Sequence, residues 1–244
     1  MALLITNQGA VFVTDVSLNE GVSGAGGGGL TSNTTVNLLT TDSTAEKQAK
    51  IDAVPTSAAA GVVTTFQFAD GTHTETDTLN FDGFTYPIVI QGNDSDSAAL
   101  STAQSVHVDG SGHAEDVISV NGSNYVTVSK LKVTVSDTAQ KNALYLRCNY
   151  AIAQYCYLLG SAKTTANYSV QFDGALGYAI ATYVSNTDKA IRAVRSFIQS
   201  VGNDDTATAP NYGLSSVSST VHKSGTQPSG TTANENTGSG GVIR

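Results

Sequence analysis

The segment Asn124-Tyr-Val-Thr-Val128 recurs along the chain, first as Asn149-Tyr-Ala-Ile-Ala153 and then as Gly177-Tyr-Ala-Ile-Ala181, with spacings of 25 and 28 residues. Two-residue alternation of side chains within each copy is typical of a β-strand. A repeat of roughly 24 residues that carries short strands predicts one coil of a parallel β-helix. In that fold each strand stacks on its counterpart one coil later, about 4.8 Å away.

A second series interleaves with the first. Its apolar members, Leu144, Val170, Ile191 and Leu214, are 26, 21 and 23 residues apart. Further strands are predicted near 62–68, 86–92, 106–110 and 117–122, so that residues 62–221 hold about six or seven coils. Leucine-rich repeats have a similar period, but their Leu-x-x-Leu-x-Leu pattern is absent. We therefore predict an all-β, right-handed parallel β-helix, with the handedness taken from the general preference of parallel crossovers.

The predicted organisation has four parts. Residues 1–20 form an N-terminal arm, and residues 21–42 form a Gly-rich hinge or linker. The β-helix occupies residues 43–223 and begins with a capping helix at 43–54, since Ser43-Thr-Ala-Glu46 is a capping box and Pro55 ends the segment. Residues 224–244 form a low-complexity tail that we expect to be disordered when isolated.

Strand alternation assigns the repeat to two faces. If Val126 and Val128 point inward, then their counterparts Ala151/Ala153 and Ala179/Ala181 do so as well. The outward apolar stripe then contains Ile152, Tyr155, Ile180 and Tyr183. An exposed apolar stripe needs a partner, and we predict a second and third copy of the chain around a three-fold axis. The alternative is a loop that folds back over this face.

Two pairs of asparagines are expected to stack in successive coils. Asn124 and Asn149 are 25 residues apart, as are Asn142 and Asn167, and each pair is expected to form an amide ladder.

Cys148 continues the alternation of Leu144 and Leu146, and Cys156 matches Leu131 and Val184 in the repeat. Both thiols are therefore predicted to be buried and unreactive.

The richest polar cluster contains His107, Asp109, His113 and Glu115, which are residue types that ligate metals. Their spacing matches no closed zinc motif, and the intervening glycines favour a turn with polar neighbours. Asn93-Asp-Ser-Asp96 is likewise interpreted as a solvated loop rather than a calcium site. We predict no metal and no cofactor.

Catalysis would require a selected pair of carboxylates or a basic group beside an acidic substrate. The candidates are Asp109, Glu115, Asp116, Asp137, Asp173 and Asp188, together with Arg147, Arg192 and Arg195. No motif selects among them, and Asp173 pairing with one of the arginines is the simpler interpretation. A non-enzymatic role is favoured, with polysaccharide lyase or glycoside hydrolase activity left open.

Charge and hydropathy exclude several partners. The net charge is -8, only 12 residues are Lys or Arg, and no basic run occurs, which argues against nucleic acid and anionic membranes. No apolar run reaches the roughly 18 residues of a membrane span. The first residues lack the pattern of a secretory signal, and two cysteines are too few for a disulfide scaffold, so synthesis in a reducing cytoplasm is expected.

The N-terminal part of the predicted β-helix resembles a known family. A helix that ends in Ile51-Asp-Ala-Val-Pro55, followed by Thr65-Phe-Gln-Phe-Ala-Asp-Gly-Thr-His-Thr-Glu75 and Ile88-Val-Ile-Gln-Gly92, is similar to the entry into the pectin-lyase-like β-helix of bacteriophage tail fibres and tail spikes. The resemblance covers about residues 43–223 and implies a homotrimer on the surface of a virion, attached to other virion proteins through the N-terminal arm.

The resemblance leaves three roles open. A tail fibre or spike would attach to host cell-surface glycan or another receptor, with Tyr178 and Tyr212 as glycan-contact candidates. A capsid decoration protein, or head fibre, would bind the shell instead. A polysaccharide depolymerase would cleave the host polymer, although this column is short for such an enzyme. Attachment is the role we expect.

Overall fold

The computed structural model describes residues 29–96, 104–136, 141–161, 167–205 and 208–244, and the backbone of two strands at 2–6 and 9–13. Within these residues the chain winds into three parallel sheets of nine, six and seven strands. The two N-terminal strands pair antiparallel with each other. The predicted hinge residues 21–28 and arm residues 14–20 lie outside the described residues.

The elements follow one another in chain order. They are β1 (Ala2–Thr6), β2 (Gly9–Val13), β3 (Thr34–Leu38), α1 (Thr44–Asp52), β4 (Thr64–Phe68), β5 (Gly71–Thr74), β6 (Leu79–Asn80), β7 (Pro87–Gln91), β8 (Val106–Gly110), β9 (Ile118–Asn121), β10 (Tyr125–Ser129), β11 (Lys132–Val135), β12 (Asn142–Arg147), β13 (Tyr150–Gln154), β14 (Tyr157–Gly160), β15 (Tyr168–Asp173), β16 (Leu176–Ile180), β17 (Tyr183–Ser185), β18 (Lys189–Val194), β19 (Phe197–Val201), β20 (Asp204–Asp205), β21 (Tyr212–Val217), β22 (Thr220–Ser224), β23 (Ala233–Gly238) and β24 (Val242–Ile243).

Each complete coil contributes one strand to each sheet, in the order nine-stranded, six-stranded and seven-stranded. The described residues contain six such coils, from β4–β5–β6 to β19–β20–β21. The nine-stranded sheet runs β24-β22-β19-β16-β13-β10-β7-β4-β3, the six-stranded sheet β20-β17-β14-β11-β8-β5, and the seven-stranded sheet β23-β21-β18-β15-β12-β9-β6. The predicted parallel β-helix is confirmed, whereas the trimeric state stays a prediction.

The solenoid is longer at both ends than the predicted range 43–223. Strand β3 lies within the predicted linker and pairs in parallel with β4 along its whole length. In the predicted disordered tail, β23 pairs with β21 and β24 pairs with β22. Both segments form strands because the adjacent coil has an unpaired strand edge to which they hydrogen-bond. The local composition of a segment gives no information about such an edge.

The register confirms the second series and corrects the first. Leu144, Val170, Ile191 and Leu214 are consecutive register partners and are all buried. In the first series, however, Ile152 is level with Tyr178, not with Ile180. Ala181, predicted to point inward from a strand, is a corner residue with φ of 45°. The inward positions Ala151 and Ala153 are fully buried, as predicted.

The core changes in character along the column. The first coil is filled by aromatic rings, with Phe66 packed edge-on against Phe81 and Phe84 at centroid distances of 4.9 and 5.7 Å. Later coils place small residues such as Ala153 and Ala179 at the level where earlier coils carry larger ones. Interior packing is dense in proteins, so these size differences show that the interior cross-section is filled differently along the axis.

Helix α1 closes the N-terminal end of the column. Ser43 caps it with the predicted capping box, in which the Ser43 side chain accepts from the Glu46 N–H and Glu46 accepts from the Ser43 N–H. The Gln48 amide donates to the Asn80 carbonyl at 2.9 Å and accepts from the Asn80 N–H at 2.8 Å, so it takes the place of a neighbouring strand beside β6. The Thr44 hydroxyl accepts from the Thr76 N–H just beyond β5. The helix therefore satisfies backbone groups that an open edge would expose.

Sharp corners recur where the nine-stranded sheet passes into the six-stranded sheet. Lys130, Tyr155, Ala181 and Gly202 occupy these corners in successive coils, and all have positive φ. Left-handed backbone is costly for residues with a Cβ, and it persists here because the flanking strands fix the direction of the chain.

No helix among the described residues has the length and apolar character that a membrane crossing requires.

Candidate functional site

The predicted interface residues are distributed over two sheets and a corner. Ile152 and Ile180 lie on the outer face of the nine-stranded sheet, in adjacent outward rows. Tyr183 lies on the six-stranded sheet, where its ring packs edge-on against Tyr157 at 6.0 Å. Tyr155 is a corner residue with φ of 54°. The expectation that all four share one face is therefore wrong, because the repeat was aligned two residues out of register.

The two predicted glycan-contact residues also lie on different sheets. Tyr178 is level with Ile152 on the nine-stranded sheet. Tyr212 lies on the seven-stranded sheet, level with Lys189 and two coils from Tyr168. The Lys189 ammonium sits between the Tyr168 and Tyr212 rings, 5.0 and 5.5 Å from their centroids. This arrangement already gives the Tyr212 ring a cationic partner within the chain.

The metal-ligand candidates do not converge. His107 Nε2 lies 2.8 Å from the Thr134 hydroxyl, and an Asp109 oxygen accepts from the Ser111 N–H at 3.0 Å. His113 Nδ1 accepts from the Glu115 N–H, and the Glu115 carboxylate pairs with Lys141. No group of three or more His, Cys, Asp or Glu side chains comes together in the part of the chain that the structure describes.

The carboxylates considered for catalysis are engaged one by one. Asp116 accepts two hydrogen bonds from Asn142, from its backbone N–H at 2.8 Å and its side-chain amide at 2.9 Å. Asp188 pairs with Lys189 at 2.9 Å and accepts from the Asn211 amide at 3.0 Å. Asp173 has partners of its own, described below, and Asp137 lies outside the described residues. Each of these three carboxylates has a structural role, and none is hydrogen-bonded to another.

The two cysteines are part of the core. Cys148 and Cys156 are both buried, as predicted, and burial raises the pKa of each thiol to about 12. Cys156 is level with Leu131, but its other neighbour in the stack is Thr182 rather than Val184, since the Tyr183 N–H donates to the Cys156 carbonyl. A thiol with so high a pKa is protonated at neutral pH and is a poor nucleophile.

Most of the outer surface of the nine-stranded sheet carries no formal charge. The seven neighbouring strands β3, β4, β7, β10, β13, β16 and β19 contain no Asp, Glu, Lys or Arg. The outward row nearest the seven-stranded sheet includes Tyr125, Tyr150, Leu176 and Phe197 in successive coils. Leu176 and Phe197 are 57% and 41% exposed, although both are large apolar residues. We call this surface the charge-free face.

A shallow groove follows the corner between the seven-stranded sheet and the charge-free face. It consists of two depressions of about 520 and 380 Å³ that share Gly174 and Arg195. Its other lining residues in successive coils are Asn121, Gly122, Ser123, Arg147, Cys148, Asn149, Asp173, Ala175, Leu176, Ser196, Phe197, Ser218, Ser219, Thr220 and Gly240. We call it the corner groove.

Asp173 organises the polar side of the corner groove. One of its oxygens accepts from Arg195 Nη2 at 2.7 Å and Nε at 3.2 Å, and the other accepts from the Tyr145 hydroxyl at 3.0 Å. The Asp173 side chain is only 10% exposed, whereas that of Arg195 is 64% exposed. Burial, and then the hydrogen bond to Asp173, raise the pKa of Tyr145, so its hydroxyl stays a donor.

Of the two asparagine ladders predicted from the sequence, one forms and the other does not. The Asn149 amide donates to the Asn124 side-chain oxygen at 2.8 Å, which confirms that ladder. Asn142 is level with Tyr168 and bonds Asp116, so the predicted Asn142–Asn167 ladder does not form. The sequence predicted that Asp173 pairs with one of the arginines, which the ion pair with Arg195 confirms, but it did not place Arg147 beside them. The signal that groups them is their common position at the end of the seven-stranded sheet, which requires the register.

Comparisons with known proteins add little beyond the fold. No family model matches the sequence, and no curated protein matches it. Among solved structures, the chain is similar to the deglycosylated pectin methylesterase of Aspergillus niger, with a TM-score of 0.39 and 14% identity over 84% of this chain and 70% of that one. Similarity at this level carries no argument about the role of the chain.

Proposed function

We propose that the chain is a structural surface protein of a phage particle, a trimeric fibre or spike that attaches to host cell-surface glycan without cleaving it. The observation that carries the proposal is the charge-free face with its exposed apolar row. Such a surface, 57% exposed at Leu176 and 41% at Phe197, is typical of a site that a partner covers. The parallel β-helix supplies the rigid column that a fibre or spike requires.

The partner on the charge-free face is a second copy of the chain. With a net charge of -8, copies repel one another through surfaces that carry acidic residues. The charge-free face escapes this repulsion, and depletion of charge is a feature of interface centres. Ile152, Tyr178 and Ile180 lie at its middle and would meet their counterparts around the three-fold axis. Other virion proteins would bind through the N-terminal arm.

Glycan attachment would use the corner groove, which stays at the margin of such an interface. The groove is open and extends along successive coils, so it suits an extended chain better than a compact small molecule. The exposed side chains of Asn121, Asn149 and Ser218 line it and carry amide and hydroxyl groups. Such groups are hydrogen-bonding partners for the hydroxyl groups of a sugar. Tyr178 and Tyr212 would contribute from the adjoining faces.

Replacing Tyr178 with Arg is expected to convert the trimer into a monomer. The charge would lie at the centre of a face that has none, and three copies would bring like charges together in a desolvated interface. Light scattering coupled to size-exclusion chromatography measures the mass directly. Tyr212→Arg, on the seven-stranded sheet, is the matched control and should stay trimeric. A wild-type protein that is monomeric at micromolar concentration would contradict the proposal.

The attachment role predicts binding to polysaccharide without chain shortening. Purified protein would be incubated with extracted bacterial surface polysaccharides, and bound protein and polymer length would be followed together. Bound polymer of unchanged length is the expected result, since Asp116, Asp173 and Asp188 are each engaged by structural partners. Shortening would identify a depolymerase, and binding to capsid shells instead of polysaccharide would identify a decoration protein.

A further inference from the structure

We infer that the ligand of the corner groove is acidic: an extended glycan whose carboxylate groups are bound by the guanidinium groups of Arg147 and Arg195. The inference rests on the proposed glycan attachment and adds the chemical class of the ligand. It follows from how the two guanidinium groups are placed, paired and exposed.

Arg147 is an unpaired cation at the groove. Its side chain is exposed at the end of β12, and its guanidinium makes no hydrogen bond or ion pair with any residue that the structure describes. In contrast, Lys47, Lys141 and Lys189 each form an ion pair. An unpaired arginine is notable in a chain that has 20 acidic and 12 basic residues. It leaves five N–H donors available to an anion.

Arg195 is a second, oriented cation. It binds Asp173 through Nε and Nη2, which fixes the plane of its guanidinium, while Nη1 has no partner among the described residues. The side chain is 64% exposed, so this free edge faces solvent at the groove. Arginine recognises carboxylates through a planar fork of donors, and a fork already held by Asp173 loses less entropy on binding.

The spacing of the two arginines favours a polymer. Arg147 is level with Asp173, and Arg195 is a corner residue one coil further along. Two coil steps separate their backbone positions by about 10 Å along the axis. Carboxylates on different residues of an extended acidic chain can therefore reach both guanidinium groups.

A polyphosphate chain fits the site less well. Binding a phosphate backbone depends on many cationic contacts, and the described lining of the groove offers two arginines. The buried Asp173 carboxylate also lies within the groove. A polymer with well-separated carboxylates among neutral hydroxyl groups meets both the arginines and the uncharged serine and asparagine side chains.

The test compares one polymer with and without its carboxylates. Alginate and carboxyl-reduced alginate would be titrated against wild-type protein, Arg147→Gln and Arg192→Gln by isothermal titration calorimetry. Arg192 is the matched control, since it lies on the same sheet but outside the groove and donates to Gln171 at 2.8 Å. We expect alginate to bind wild type at least about tenfold more tightly than its reduced form. Arg147→Gln should remove most of that difference, while Arg192→Gln should preserve it.

The outcomes separate this inference from the proposed function. Equal binding of both polymers, or binding only of neutral bacterial polysaccharides, overturns the acidic ligand and leaves glycan attachment standing. Loss of the preference in Arg192→Gln as well would move the site away from the corner groove. Failure of wild type to bind any polysaccharide overturns glycan attachment and this inference with it. Circular dichroism would check that each variant is folded. Arg147 is exposed, so its replacement is expected to leave the fold intact.

Discussion

Replacing Lys47 with Met is expected to lower the free energy of unfolding by about 3–5 kcal/mol. Lys47 is on the capping helix, its side chain is 1% exposed, and its ammonium lies 2.9 Å from Glu75 Oε1. The same ammonium donates to the Asp42 carbonyl at 2.7 Å. Without it, the fully buried Glu75 carboxylate has no counter-charge. Apart from this ion pair, neither Glu75 oxygen has a hydrogen-bond partner among the described residues that would compensate.

The double variant Lys47→Met/Glu75→Leu is the decisive control. Removing both charges leaves no uncompensated ion, and replacing a buried ion pair by apolar residues is often neutral or stabilising. We expect the double variant to regain most of the lost free energy in urea unfolding followed by circular dichroism. A single variant that loses less than about 1 kcal/mol, or a double variant as unstable as the single one, would show that this pair does not hold the cap.

The cap illustrates what can and cannot be predicted locally. Ser43 and Glu46 are three residues apart, so the capping box and the helix are visible in the sequence. The partners that fasten the helix to the column are distant: Glu75 for Lys47, and the Asn80 backbone for Gln48. Those contacts depend on where the first coil places β5 and β6. A buried Lys–Glu pair also contradicts the usual expectation that both residues are exposed.

The register shows how identity between residues can mislead. Tyr150 and Tyr178 are both tyrosines followed by Ala-Ile, so the repeat in the sequence placed them at the same level of neighbouring strands. The structure instead places Ile152 level with Tyr178, and Ala153 level with Ala179. Coils differ in length because the corners absorb extra residues, so the spacing of any one pair does not determine the register. Inward positions were predicted better than outward ones, since burial constrains them to small or apolar side chains.

The corner groove depends on the same register. Arg147, Asp173 and Arg195 are separated by 26 and 22 residues, and each alone resembles an ordinary surface residue. They come together because two of them end strands of the seven-stranded sheet and the third is the following corner. The fold class could therefore be predicted from the periodicity, whereas the candidate site required the pairing of individual strands.

The outer and inner faces should respond very differently to the same substitution, Phe→Ala. Phe66 is fully buried in the aromatic core of the first coil, so Phe66→Ala is expected to lower the free energy of unfolding by about 3–5 kcal/mol. Phe197 is 41% exposed on the charge-free face, so Phe197→Ala should cost less than about 1 kcal/mol within a monomer.

Both substitutions would be measured in the Tyr178→Arg background, where association does not contribute to unfolding, and again in the assembling protein. Phe66→Ala should cost the same in both backgrounds, because its contacts lie within one chain. Phe197→Ala should cost more in the assembling protein, since a partner then covers the ring and its loss weakens the trimer as well. A similar small cost in both backgrounds would mean that no partner covers Phe197, and the exposed row would then require an explanation other than self-association.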